Sequence, residues 1–76
     1  GPMRELHSTP EVITELGGIH AVAKMFRRDY DAVKLWEKSG KFPAHTFIAI
    51  RDALAKQGKR APERLWAMTM IDRKAS

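Results

Sequence analysis

The feature that most constrains this chain is an apolar stripe that stops and restarts on a new phase. Ile19, Val22, Ala23 and Phe26 recur at i, i+3, i+4 and i+7, one face of an amphipathic helix. Arg27, Arg28 and Asp29 occupy the positions that would extend it, and the rhythm resumes at Val33 and Trp36 with a different offset. Asp29 is a competent N-cap, because its carboxylate can accept a hydrogen bond from a free N–H in the following turn. The pattern predicts two short helices joined by a tight turn. The alternative is one helix running through Arg27 and Arg28, with the charges as its solvated flank.

The same reading extends in both directions. Thr9-Pro10-Glu11 is a helix start, with Thr9 as cap, Pro10 at the first helical position and Glu11 complementing the helix dipole. Ile13 and Leu16 face inward, and Gly17-Gly18 ends this first helix. The third helix, about 30–38, stops at Ser39-Gly40-Lys41-Phe42-Pro43. A fourth runs from about Ala44 to Gln57 with Phe47, Ile48, Ile50 and Leu54 as its buried side and Gly58 as its stop. Pro62 starts a short fifth helix from Glu63 to about Met68. No alternating segment and no Asn-Gly or Asp-Gly hairpin signal is present. The expected architecture is all-α, five short helices in one domain spanning 9–69. Residues 3–8 are expected to be loose and 70–76 to form a C-terminal tail, while Gly1-Pro2 ahead of Met3 reads as a scar of tag cleavage.

Seventy-six residues make one small domain, which buries only ~60% of its unfolded surface and has a thin stability margin. With no cysteine there are neither disulfides nor thiolate metal sites, which suits a reducing cytoplasm. His7, His20 and His45 share no ligand spacing, so no metal is expected. No glycine-rich phosphate loop, metalloprotease signature or nucleophile with a base is present, so neither enzyme activity, cofactor nor small-molecule substrate is expected. No apolar run approaches the ~18 residues of a membrane span, and no helix joins a basic face to a large free apolar one. Fourteen Lys and Arg against nine Asp and Glu leave a net charge of +5. That balance points to a polyanion such as nucleic acid, or to a solvated basic surface without a partner.

Gly17-Gly18, Ala23, Val33, Trp36-Glu37-Lys38, Gly40 and Pro43 stand in an order that resembles the lambda-repressor-like helix-turn-helix family. The resemblance is to Cro/CI-type (XRE) regulators and, within them, to short YdaS-like phage and prophage proteins. It covers about Glu11 to Leu54. It implies a sequence-specific DNA-binding transcriptional regulator, a repressor of phage or mobile-element origin working at the nucleoid of a bacterial cytoplasm. Ala23, Val33 and Trp36 would then pack at the crossing of helices 2 and 3, leaving helix 3 to enter the major groove of double-stranded DNA. One departure stands out: the family usually has glycine in the turn where this chain has Arg27. Glycine adopts a positive φ freely, whereas arginine does so at a cost of roughly 1 kcal/mol or more.

With Val33 and Trp36 inward, helix 3 turns Tyr30, Asp31, Lys34, Leu35 and Lys38 outward. The resemblance assigns base readout to Tyr30, Asp31 and Lys34, with Leu35 beside them. Leu35 can pack on a thymine methyl, or be a single exposed apolar residue of the ordinary kind. Asp31 can accept from a cytosine amino group, or serve only its own helix dipole. Tyr30 can reach DNA or cover the core. Arg27, Arg28, Lys38 and Lys41 flank the helix as phosphate contacts or solvated charges, with Lys24 a weaker candidate. His20 and His45, near the starts of helices 2 and 4, are implied phosphate contacts as well. One module contacts few base pairs, so a homodimer on a two-fold site is expected. Met68, Met70 and Ile71 are the candidate dimer contacts, while Leu65 and Trp66 close the core. The other class of function is the same fold serving as a protein-interaction adaptor or antitoxin.

Overall fold

The computed structural model describes residues 4–67, which are mostly helical. In chain order the elements are β1 (Arg4–Glu5), α1 (Thr9–Glu15), α2 (Ile19–Phe26), α3 (Tyr30–Ser39), α4 (Phe47–Lys56) and β2 (Lys59–Arg60). Single 3-10 turns precede α4 at Ala44–Thr46 and follow β2 at Glu63–Leu65.

The described residues hold four α-helices rather than five. Pro62 does start a turn, but it ends at Leu65, and Trp66 is extended at φ −108°, ψ 143°. The competing partner is Phe42. Its N–H donates to the Leu65 carbonyl at 2.7 Å, and its carbonyl accepts from Ala67 N–H at 2.8 Å. These bonds satisfy the backbone across the fold while Leu65 and Trp66 sink into the core at 3% exposure each. A helix continued to Met68 would have forfeited both bonds. Residues 68–76 lie outside the described residues, and with them the candidate dimer contacts Met68, Met70 and Ile71.

The N-terminal segment is not loose where it is described. Arg4 and Glu5 pair in parallel with Lys59 and Arg60, and Leu6 next to them is fully buried. Two bonds bracket the pairing, Arg4 N–H to the Gly58 carbonyl and Leu6 N–H to the Arg60 carbonyl. Residues 4–6 are therefore tied to the folded unit by backbone pairing and burial. Around this ribbon Arg4 lies 3.8 Å from Glu11 and 3.7 Å from Glu15, and Lys59 pairs with Glu15. The Lys59 ammonium, hydrogen-bonded to Glu15, holds that carboxyl below its ordinary range, with smaller help from the charges of Lys59 and Arg4.

The cap of α1 is Ser8, not Thr9: the Ser8 hydroxyl accepts from Glu11 N–H at 3.4 Å. Thr9 is wholly buried and turns its hydroxyl to the Trp36 carbonyl, tying the start of α1 to α3. Gly17 (φ +112°) and Gly18 close α1, with Gly18 N–H returning to the Ile13 carbonyl at 2.9 Å. A side chain at Gly17 would also press on Ala21, its Cβ only 3.0 Å from that residue's Cβ. In α4, Phe47, Ile50 and Leu54 turn to the core at i, i+3 and i+7. Ile48, expected with them, sits about 100° round the helix from Phe47 and is 54% exposed.

The core joins all parts: Leu6, Val12, Ile13, Val22, Ala23, Val33, Trp36, Phe42, Ile50, Leu54, Leu65 and Trp66 form one cluster. Its aromatic members meet edge-on or tilted, Phe26 with Trp36, Trp36 with Phe42, and Phe42 and Phe47 with Trp66. Trp66 Nε1 donates to Thr46 Oγ1 at 3.0 Å, and that hydroxyl donates onward to the Pro43 carbonyl at 2.8 Å. Among the described residues no buried side-chain polar atom is left without a partner.

Candidate nucleic-acid interface

The site is built on the turn between α2 and α3. Helix α2 stops because Arg27 takes the left-handed conformation at φ 56°, ψ 42°, the one positive φ outside glycine among the described residues. Arg28 N–H reaches back to the Ala23 carbonyl at 2.9 Å and Arg27 N–H to the Lys24 carbonyl at 3.3 Å. This is the two-bond closure that usually ends on glycine. Asp29 then caps α3, its carboxylate accepting from Ala32 N–H at 2.9 Å. The chain therefore breaks after Phe26 and does not run on as one helix.

Burial sorts the faces. Val22 and Ala23 of α2 and Val33 and Trp36 of α3 lie in the core, and the small Ala23 lets the helices approach. Tyr30, Asp31, Lys34, Leu35 and Lys38 are all exposed, Leu35 the most among the large apolar residues at 61%. Successive 100° steps put Asp31, Lys34, Leu35 and Lys38 on one strip, with Tyr30 at its edge toward α2. There the Tyr30 ring meets the His20 imidazole, centroids 5.0 Å apart at 47°. At the other end of α2, His45 sets its ring edge-on to Phe26 at 6.2 Å. The turn at Ala44–Thr46, not α4 itself, carries His45. The structure thus places His20 beside the start of α3 and His45 beside the C-terminal end of α2.

The basic residues differ in what already holds them. Lys34 pairs with Glu37 one turn along, Nζ to Oε1 3.2 Å. Lys41 donates to the Arg64 carbonyl at 2.7 Å, so its ammonium braces the 3-10 turn Glu63–Leu65. Among the described residues, Lys24, Arg27, Arg28 and Lys38 have no carboxylate within 4.0 Å. The acids are unevenly used: Glu5, Glu11 and Glu15 neutralise Arg4, Lys59 and Arg60 around the ribbon. Four of the cations without a carboxylate partner thus lie on α2, the turn and α3, beside the acids Asp29 and Asp31, while Lys41, Lys56 and Arg64 are the others among the described residues. Lys24, the weakest candidate by sequence, belongs to that set, and its i, i−3 and i, i+4 relation to Ala21 and Arg28 shows no acid to pair it. The contacts made by Lys41 and by His20 link residues 23 and 10 positions apart, and no local spacing signals either.

No group of three or more His, Asp or Glu side chains is placed to hold a metal ion among the described residues. None of the helices described is long and apolar enough to cross a membrane. Comparison with known protein families, with characterised proteins and with solved structures finds no match to this chain.

Proposed function

We propose that this chain is a sequence-specific double-stranded DNA-binding transcriptional regulator of the Cro/YdaS-like helix-turn-helix kind. In this reading α3 enters the major groove, Tyr30, Asp31, Lys34 and Leu35 meet base edges, and Lys24, Arg27, Arg28 and Lys38 lie along phosphates. His20 and His45 flank the same surface. The observation that supports it best is the α2–α3 unit itself. Two short helices packed through Val22, Ala23, Val33 and Trp36 meet at a left-handed residue 27, where the resembling family has glycine. The exposed strip of the second helix is bordered by cations with no internal partner. An outward strip of this kind on a groove-sized rod suits a partner with phosphates on both sides of a readable edge.

A homodimer on a two-fold operator supplies the affinity that one small module lacks, and the bacterial nucleoid is the place such a regulator works. The exposed Leu35 beside Asp31 also suits a protein partner, as in an adaptor or antitoxin. Duplex binding measured against salt separates the two. Four phosphate contacts from Lys24, Arg27, Arg28 and Lys38 give a logarithmic slope of roughly −3.6 per protomer, at about −0.9 each. Arg28→Ala should weaken all duplexes alike, while Lys34→Ala should weaken the preferred sequence selectively. Binding that is indifferent to salt, or absent below millimolar concentration, refutes the DNA reading and leaves the adaptor.

A further inference from the structure

Tyr30 opens α3, where its side chain has no preceding helical turn to lean on. A first-turn side chain that is 42% exposed would ordinarily sample several rotamers. Across the α2–α3 junction the His20 ring centroid lies 5.0 Å from that of Tyr30, with the planes at 47°. The separation falls in the range where aromatic pairs attract beyond simple burial. Neither ring spends its polar atoms on the protein. Among the described residues, the Tyr30 hydroxyl and both imidazole nitrogens of His20 make no hydrogen bond. The pair therefore offers a phenol and an imidazole, side by side and exposed, with Arg28, Asp29 and Asp31 the charged groups nearest Tyr30 in sequence and Lys24 the one nearest His20.

Resting on the DNA reading above, we propose that His20 is a positioning residue for Tyr30. Contact between the rings holds the phenol at one orientation over the α3 strip, so that Tyr30 discriminates a base pair and His20 sets how sharply it does so. The role belongs to the face of the imidazole, not to its charge. A residue acting as a phosphate contact would instead work through its nitrogens and affect every sequence equally.

The test uses the full chain and a duplex selected by it from a random pool. Binding to that duplex is compared with binding to duplexes carrying single base-pair changes, for the wild type and for His20→Ala, His20→Phe, Tyr30→Ala and the His20→Ala/Tyr30→Ala double variant. Because both side chains are exposed, each variant should stay folded, with its thermal melt lowered by no more than the loss of one aromatic pair. His20→Ala should lose roughly 2- to 13-fold of its preference for the selected duplex, the fold-change equivalent of an aromatic pair. His20→Phe, which keeps a ring without nitrogens, should restore that preference. Removing His20 from the Tyr30→Ala background should cost no further preference, since the group it positions is already gone. An equal loss on all duplexes with a shallower salt slope, or failure of phenylalanine to restore preference, overturns the inference and makes His20 a phosphate contact. If the wild-type chain selects no duplex at all, the DNA reading falls, and this role of His20 falls with it.

Discussion

Replacing Arg27 with glycine should stabilise the protein and, if the proposed DNA reading holds, weaken duplex binding. Arg27 sits at φ 56°, ψ 42°, where a residue with a Cβ is strained by roughly 1–2 kcal/mol. Glycine removes that strain, but it also gives the unfolded chain more freedom, which takes back about 0.4–1 kcal/mol. The side chain is exposed and has no carboxylate partner among the described residues, so its removal forfeits little else. Both closing bonds, Arg28 N–H to Ala23 and residue 27 N–H to Lys24, come from the backbone and remain. The net gain is about 1 kcal/mol, which in a domain of this size raises Tm by roughly 4–8 °C. Thermal and urea unfolding followed by circular dichroism measure it directly. Two companions isolate the cause. Arg27→Ala keeps the Cβ and should be no more stable than the wild type. Arg27→Val places a β-branched residue in the left-handed region and should lose more than ~1 kcal/mol. A glycine variant no more stable than the alanine one, or a harmless valine, would refute a left-handed residue 27. In the same glycine variant the salt slope of duplex binding should shrink by about 0.9. Stability and affinity then move in opposite directions, which separates the backbone effect from the charge.

Other outcomes follow from the same geometry. Asp29→Ala removes the cap on Ala32 N–H and should cost about 1 kcal/mol in urea titrations, whereas Asp29→Asn should lose only a fraction of that. Leu6→Ala should cost about 2–5 kcal/mol, since the side chain is fully buried; a neutral result would return the N-terminal segment to the loose state expected from sequence. Glu15 titrates below glutamate's ordinary value of 4.5, so the folded state favours its charged form. Its contribution is complete above that value and fades as pH falls through the lowered folded one; Glu15→Gln should flatten this acid limb of stability against pH.

Much of the fold was legible in short-range pattern. The break after Phe26, the Asp29 cap, the inward Val33 and Trp36 and the stop at Gly40 all depend on neighbours within a turn or two, and each is found where the periodicity put it. The anomaly at residue 27 showed only through the resemblance, which expects glycine there, and whether the turn was strained or took another geometry was decided by the structure, which puts Arg27 at φ 56°. Ile48 shows where this ran out. Four apolar residues in α4 outnumber what one stripe can bury, and only the packing of Phe47, Ile50 and Leu54 on the core chose which was left outside. The candidate site divides the same way. Which side chains of α3 point outward was readable from helical phase, and so were the i, i+3 spacing of Lys34 and Glu37 and the lack of an acid beside Lys24. The bond of Lys41 to the Arg64 carbonyl was not, because it joins residues far apart in the chain.

The sequence alone therefore determined the local elements: a helical chain, a turn at Arg27–Asp29, and a strip of Tyr30, Asp31, Lys34, Leu35 and Lys38 turned away from the core. Only the tertiary structure decided the two ends. A dipeptide such as Arg4-Glu5 becomes a strand because Lys59-Arg60 lies beside it, and Trp66 is extended because Phe42 offers its backbone to the residues on either side of it. Neither segment has a local preference strong enough to choose for itself. Backbone hydrogen bonds and burial of Leu6 and Trp66, supplied from across the fold, outweigh the tenths of a kcal/mol that propensity offers per residue.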